Sequence, residues 1–119
     1  MDQTDRQIRE ALPRMAQFHM ALSDVNRLKI LRILSTEEGI TVSQLATRLS
    51  ITQPAMSQHL RILKMTGFLY PERIKNTTVY RVNKAGLREY RDLENAMYEA
   101  VSRPIEDCDC QTDKQSKTN

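Results

Sequence analysis

Polar side chains that can bind nucleic acid recur along residues 51–66. Met56, Leu60 and Leu63 lie at i, i+4 and i+7, which predicts one apolar stripe on a helix. The polar positions outside that stripe are Gln53, Ser57, Gln58, Arg61 and Lys64. Amide, hydroxyl and cationic groups hydrogen-bond to base edges and phosphates, and none of these side chains is negatively charged. The pattern is typical of a helix that lies in a DNA groove. An ordinary amphipathic surface helix is the alternative.

The ends of this helix are marked by residue type. Thr52 is expected to be the N-cap, and Pro54 is tolerated in the first turn, where amides have no intrahelical partner. Gly67 is expected to end the helix. His59 falls between the apolar stripe and the exposed face, so we expect it to pack at the helix edge or to touch phosphate.

A second, shorter helix is predicted just before the first. Thr41 and Gln44 form a capping box, because each side chain can satisfy the other's free amide. Its core face is expected to comprise Val42, Leu45, Ala46 and Leu49. Only Ser50 and Ile51 separate it from the Thr52 cap. Two helices joined by so short a turn predict a helix-turn-helix, whose second helix enters the groove.

A β-hairpin is predicted directly after the helix-turn-helix. Residues 68–70 and 78–82 are rich in β-branched and aromatic types, and residues 75–77 form a polar turn between them. A hairpin in this position is a wing. The side chains expected to contact the DNA backbone or minor groove from it are Arg73, Lys75, Asn76 and Arg81. Thr52, His59 and Lys64 are expected to hold phosphates.

Three segments together resemble the ArsR/SmtB-type winged helix-turn-helix repressors. They are residues 21–34, residues 53–60 and residues 79–82, in the family's order, and the resemblance covers about residues 10–100. It implies a mainly α fold with one β-hairpin, and a homodimeric repressor that leaves its operator when an effector binds, often a metal ion or metalloid. The family's two metal motifs do not carry over. Residues 42–46 contain no cysteine, and residues 86–101 contain no histidine.

Further helices are predicted on both sides of this unit. Periodicity favours one over residues 5–22, one after a cap at Ser23 or Asp24, and one from Asn83 to the break at 103–104. The second is expected to be the buried centre, with a small polar face of Arg27, Lys29 and Arg32. The resemblance implies that the first and last helices pair across a dimer two-fold; packing within one chain is the alternative. The expected dimer-interface residues are Ile8, Leu12, Met15, Phe18, Leu87, Tyr90, Leu93 and Met97.

Charge is concentrated where DNA would bind. The formal net charge is +3, but residues 23–83 hold nine basic and four acidic side chains. Between Arg48 and Arg81 only Glu72 is acidic, which favours phosphate binding. We expect one domain over residues 1–104 and a disordered polar tail over 105–119. The chain has neither an apolar run of about 18 to 20 residues nor a signal sequence, so no membrane association and a cytoplasmic location are expected.

Both cysteines, Cys108 and Cys110, lie in that tail. A reducing cytoplasm disfavours a structural disulfide between them. Two thiolates one residue apart can share a thiophilic ion such as Zn, Cd, Cu(I) or As(III), which would make the tail a metal or metalloid sensor. A strained, labile disulfide would instead make it a redox switch. A tail without a sensing role is the third possibility.

These observations predict a dimeric, sequence-specific regulator that binds a double-stranded DNA operator, an inverted repeat, and acts as an effector-released repressor. A redox-responsive or effector-independent repressor and a protein-interaction module are the alternatives. No enzyme is expected, because neither histidine, His19 or His59, has a sequence partner for a nucleophile or metal motif.

Overall fold

The computed structural model describes residues 3–103, which form five helices and one antiparallel hairpin. In chain order the elements are α1 (Gln3–Leu22), α2 (Val25–Thr36), α3 (Val42–Leu49), α4 (Gln53–Thr66), β1 (Leu69–Ile74), β2 (Thr77–Val82) and α5 (Lys84–Ser102). This order confirms the predicted mainly α, winged helix-turn-helix fold. The predicted tail, with Cys108 and Cys110, lies outside the described residues.

The helix caps form where the sequence predicts them. Asp24 caps α2 and accepts hydrogen bonds from the backbone amides of Asn26 and Arg27. The Thr41 hydroxyl accepts from the amide of Gln44, whose side chain accepts from the amide of Thr41, completing the capping box. These bonds satisfy amides that have no partner inside the helix, so each helix begins at a defined residue.

The core encloses the apolar side of α4. Met56, Leu60 and Leu63 are fully buried, which confirms the predicted stripe. The other buried core members come from α1, α2 and α3, from the loop before α3, and from the junction of α4 with β1: Phe18, Ala21, Ile30, Leu34, Ile40, Leu45, Ala46, Phe68 and Leu69. The orientation of α4 is thereby fixed by packing, and its opposite face is left exposed.

Helix α2 differs from the prediction in two ways. It is not buried on all its apolar positions, because Val25 and Leu28 are exposed while Ile30 and Leu34 are buried. Arg27, predicted on its polar face, is instead buried with 8% of its surface exposed. Arg27 lies three residues before Ile30 and seven before Leu34, so it occupies the same stripe as those core residues.

The hairpin (residues 69–82, hereafter the wing) is longer than predicted. The strands pair from Leu69 opposite Val82 to Ile74 opposite Thr77, so the turn is Lys75–Asn76. Lys75 adopts a left-handed conformation with φ of 56°. The wing is joined to the body by the amide of Asn83, which donates to the carbonyl of Phe68 at 2.8 Å.

Helices α1 and α5 pack together across the back of the domain. The Phe18 ring lies 5.2 Å from the Phe68 ring and 5.5 Å from the Tyr90 ring, centroid to centroid. The Arg14 guanidinium covers Phe18 at 4.2 Å and binds both carboxylate oxygens of Glu89. These contacts stabilise α5 against the body of the same chain.

The start of α5 touches the end of α4 through two glycines. Gly67 ends α4 with φ of 97°. Gly86 is buried, and a Cβ added to it would lie 1.9 Å from the Gly67 carbonyl oxygen. Only a residue without a side chain permits this approach, so Gly86 sets where α5 leaves the wing.

Candidate nucleic-acid interface

The exposed face of α4 carries the polar residues singled out from the sequence. All of the following are exposed: Gln53, Ser57, Gln58, Arg61 and Lys64. They share this face because the opposite stripe is held in the core. The face therefore offers amide, hydroxyl and cationic groups without a carboxylate, as base edges and phosphates require.

The two other predicted phosphate ligands of α4 have structural roles. The Thr52 hydroxyl accepts a hydrogen bond from the Ala55 amide at 3.2 Å as the N-cap, and it can still donate its own hydrogen. His59 is half-buried at the helix edge, with Nδ1 3.1 Å from Nη1 of Arg27. His59 therefore links α4 to α2.

Arg27 is the residue that sequence reasoning missed. Its Nε donates to the Ala21 carbonyl at 2.7 Å and its Nη2 to the Met20 carbonyl at 3.1 Å. The guanidinium thus ties the end of α1 to α2 and, through His59, to α4. The available signal was its register with Ile30 and Leu34, which places it on the buried face.

Asp24 lies beside this group, 4.0 Å from Nη1 of Arg27. Desolvation would raise the pKa of its carboxyl, but hydrogen bonds donated by the Arg27 and Asn26 amides, with the charge of the nearby Arg27 side chain, lower it overall. Asp24 is therefore held as a carboxylate beside the cation.

The wing divides its predicted DNA contacts into two groups. Arg73, Lys75 and Asn76 are exposed at or near the turn. Arg81 is instead bound by Glu72 within the wing and by Glu38 from the loop after α2, the latter at 3.3 Å. The hydrogen bonds that Arg81 donates to Glu72 and then to Glu38 raise its pKa. The structure therefore gives Arg81 two carboxylate partners and leaves the cations near the turn exposed.

The loop between α2 and α3 holds both parts of the interface. Glu37 binds Arg48 of α3 through two hydrogen bonds of 2.7 and 3.0 Å, and these chiefly lower the Glu37 pKa. Its neighbour Glu38 binds Arg81 of the wing. Thr41, at the end of the same loop, forms an isolated bridge with Val79. One loop thus fixes the spacing between the helix-turn-helix and the wing.

The predicted dimer residues fall into two classes. Met15 and Phe18 are buried inside the chain, and Tyr90 and Leu93 pack partly against its core. Leu12 and Leu87 are exposed, and Ile8 and Met97 are half-buried. Val101, at the end of the predicted α5 stripe, and Tyr98, which was not predicted, are each 72% exposed and line a groove of about 530 Å³ with Met97.

No group of three or more histidine, cysteine, aspartate or glutamate side chains in residues 3–103 is placed to hold a metal ion. Within the same residues, no helix is both long and apolar enough to cross a membrane.

Comparison with known proteins agrees with this geometry. The model of the bacterial regulatory protein, arsR family, matches residues 24–70, which run from the α2 cap through the helix-turn-helix into the wing. The transcriptional activator HlyU of Vibrio cholerae is 30% identical over 78 residues, covering 66% of this chain and 71% of HlyU. The chain belongs to the ArsR family.

Two further relatives support membership of this family. A transcriptional repressor SmtB homolog of Synechocystis is 28% identical over 87 residues, covering 72% of this chain and 65% of the homolog. The solved structure of an ArsR-like transcriptional regulator from Rhodococcus is 26% identical, with a TM-score of 0.63 over 81% of this chain and 99% of that one. This ArsR-family chain is a DNA-binding transcriptional regulator.

Proposed function

We propose that this ArsR-family regulator is a repressor that binds an inverted-repeat operator with α4 in the major groove. The observation that carries this is the exposed face of α4, which combines five hydrogen-bonding side chains with a fully buried opposite stripe. A helix held this rigidly presents its polar side chains in fixed register. Direct readout of base edges needs that register.

Within this proposal the side chains divide by chemistry. Gln53, Ser57, Gln58 and Arg61 read or orient on base edges, because amides and guanidinium form paired hydrogen bonds with adenine and guanine. Thr52, His59 and Lys64 bind phosphates. Arg73, Lys75 and Asn76 contact the backbone or minor groove from the wing. Arg81 acts through Glu72 and Glu38, holding the wing in place.

The test separates base reading from phosphate binding. Operator fragments are first recovered from genomic DNA by binding to the protein, and Arg61→Ala and Lys75→Ala are then titrated on operator and scrambled DNA at several salt concentrations. We expect Lys75→Ala to weaken both DNAs alike and to lower the salt slope by roughly one per subunit. Arg61→Ala is expected to lose about 1 to 3 kcal/mol on operator but less on scrambled DNA. Equal losses with unchanged slopes would overturn these roles.

The sign of regulation is tested on the same operator. In transcription with purified polymerase, we expect the protein to lower transcript yield from the recovered promoter, and Arg61→Ala to restore it. A rise in transcript on adding the unaltered protein would make it an activator, as HlyU is named.

We further propose that the chain is a homodimer through α1 and α5. Support comes from exposed apolar side chains on both helices: Leu12, Leu87, Tyr98 and Val101. Met97 lies in the groove formed with the last two. A glutamate there would place an unpaired charge in the interface, so Met97→Glu is expected to be monomeric by light scattering. The control Arg91→Glu, at an exposed position of the same helix, should stay dimeric. A dimeric Met97→Glu would exclude this interface.

The effector is proposed to act at Cys108 and Cys110. These are the only thiols in the sequence, and the described residues contain no alternative metal cluster. Zn, Cd, Cu(I), arsenite and peroxide are tested in turn for operator release. A Cys108→Ser/Cys110→Ser variant should lose the response to one of the ions. Loss of the peroxide response alone would indicate the redox alternative, and an unchanged response to every compound would exclude the pair as sensor.

A further inference from the structure

One histidine and one arginine join the proposed DNA-reading helix to the rest of the domain. The Arg27 guanidinium is buried, and each of its nitrogens is oriented by a partner: Nε by the Ala21 carbonyl, Nη2 by the Met20 carbonyl and Nη1 by Nδ1 of His59. An arginine has no acceptor and stays protonated. In the contact with His59, Arg27 must therefore be the donor.

This fixes the chemistry of the His59 ring. A nitrogen that accepts a hydrogen bond carries no proton, so Nδ1 is bare and a neutral ring carries its proton on Nε2. None of the hydrogen bonds among residues 3–103 uses Nε2 of His59. The half-buried ring thus retains one unused N–H donor on the helix that presents Arg61 and Lys64.

We propose that Arg27 is a positioning residue for DNA binding, which holds His59 as its Nε2–H tautomer so that this neutral donor binds an operator phosphate. The inference rests on the proposed function of α4 and specifies how one of its phosphate contacts is made. It adds a role for a buried residue that touches no DNA itself.

The charged groups beside His59 are the Arg27 guanidinium and the Asp24 carboxylate. From α2 the ring faces Arg27, and the α2 cap contributes Asp24, whose carboxylate lies 4.0 Å from the same guanidinium. From α1 the neighbouring groups are the Met20 and Ala21 carbonyls, which bind Arg27. A proton on Nδ1 would remove the acceptor for Arg27 and would point an N–H at the guanidinium. The neutral ring keeps Nδ1 paired with Arg27 and leaves the Nε2–H free to donate.

A neutral donor makes a distinctive thermodynamic prediction. Loss of a cation that binds phosphate reduces the salt slope by roughly one, because one fewer counterion is released. Loss of a neutral N–H donor lowers affinity without this change. The matched pair is therefore His59 and Lys64, which lie on the same helix and are both proposed to bind phosphate.

The experiment uses two substitutions, each of which keeps one of the two hydrogen-bonding positions of the histidine ring. In His59→Asn the amide oxygen can still accept from Arg27, but the side chain is too short to reach phosphate. In His59→Gln the amide can reach outward while the acceptor near Arg27 is lost. We expect His59→Asn to keep the melting temperature and to lose about tenfold in operator affinity per half-site at an unchanged salt slope. His59→Gln should melt lower and bind more tightly than His59→Asn. Lys64→Ala is the charged control, and its slope should fall.

The tautomer itself is measured on the unaltered protein. Nitrogen-15 NMR of the imidazole at pH 8 is expected to show a bare Nδ1 and a protonated Nε2 for His59. Arg27→Gln should yield a tautomer mixture; if that variant does not fold, the spectrum of the unaltered protein still decides. A protonated Nδ1, or full operator affinity in His59→Asn, would overturn the inference. If Arg61→Ala also binds normally, the proposed function of α4 fails as well; if only the His59 variants bind normally, that function stands.

Discussion

The helix-turn-helix with its wing and the pair formed by α1 and α5 differ in how their helices are held within one chain. In the first region, α2, α3 and α4 each begin at a side-chain cap, and the apolar stripe of α4 has essentially no exposed surface. In the second, apolar side chains remain exposed on both helices. The apolar stripe of α4 is covered within its own chain, whereas Leu12, Leu87, Tyr98 and Val101 on α1 and α5 are left exposed.

The polar contacts differ in the same way. Around α4, the Arg27 guanidinium is buried and bonded through each nitrogen. Between α1 and α5 the ion pairs are more exposed: Arg14 with Glu89 and His19 with Glu94. Exposed pairs add little stability, so α1 and α5 are held together mainly by the aromatic contacts of Phe18. Under the proposed function, each monomer carries the DNA-reading surface and the terminal helices form the dimer.

The largest expected effect comes from the junction of the two regions. Phe18 is fully buried between Phe68 and Tyr90, so Phe18→Ala should lower the free energy of unfolding by about 3–5 kcal/mol. Urea unfolding at several protein concentrations measures this. Leu12→Ala on the exposed side of the same helix is the control, and its effect should appear mainly as weaker dimerisation. If both variants lost similar free energy of unfolding, independent of protein concentration, the assignment of Phe18 to the core and Leu12 to the dimer contact would be contradicted.

A smaller effect is expected at the contact between α4 and α5. A methyl group at Gly86 would collide with the Gly67 carbonyl, so Gly86→Ala should cost about 1–3 kcal/mol through displaced backbone. The control is Ala85→Gly at the neighbouring exposed position, which introduces no collision. Calorimetry compares the melting temperatures, and a Gly86→Ala protein as stable as the unaltered chain would show that α5 can shift freely.

The helix caps should have effects of about 1 kcal/mol. Thr52→Ala removes the cap of α4 and one proposed phosphate contact, whereas Thr41→Ala removes the α3 cap alone. We expect similar losses of stability from the two changes, and a greater loss of DNA affinity for Thr52→Ala. Melting curves and operator titrations of both variants are the measurement. A greater loss of DNA affinity for Thr41→Ala than for Thr52→Ala would contradict the phosphate contact of Thr52.

The smallest effect is expected from the loop that joins α2 to α3. The pKa of Glu37 is lowered by Arg48, so this contact stabilises the fold above the usual glutamate pKa of about 4.3 and is lost as pH falls through the lowered folded pKa. Glu37→Gln should therefore be slightly less stable at pH 7 and match the unaltered protein near pH 3. Melting curves at both values are the measurement, and a difference that grows towards acid would reverse the assigned sign.

Local features of the fold were predictable because their causes are local. The caps at Asp24, Thr41 and Thr52 and the stripe of α4 follow from residue type and spacing, and the structure has them in place. Arg27 was misplaced because its acceptors lie at the end of α1 and on His59, which a helical projection does not show.

Long-range pairing explains the remaining differences. Arg81 was expected to meet DNA, but Glu38 binds it from a loop 43 residues earlier in the chain. Phe18 was expected at a dimer interface, but Phe68 and Tyr90 cover it within the chain. In both cases the partner within the chain lies far away in sequence, and sequence spacing carries no information about which distant elements meet.

The most direct test measures DNA binding by a forced monomer. Met97→Glu is prepared, its dissociation is verified by light scattering, and its affinity is measured by fluorescence anisotropy for a half-site and for the full inverted repeat, with and without Arg61→Ala. We predict a folded monomer that binds the half-site weakly and binds the two halves of the inverted repeat independently. With Arg61→Ala, its discrimination between DNA sequences should be lost. An unfolded helix-turn-helix, or half-site binding that does not depend on Arg61, would contradict the conclusion that one chain carries a complete DNA-reading surface.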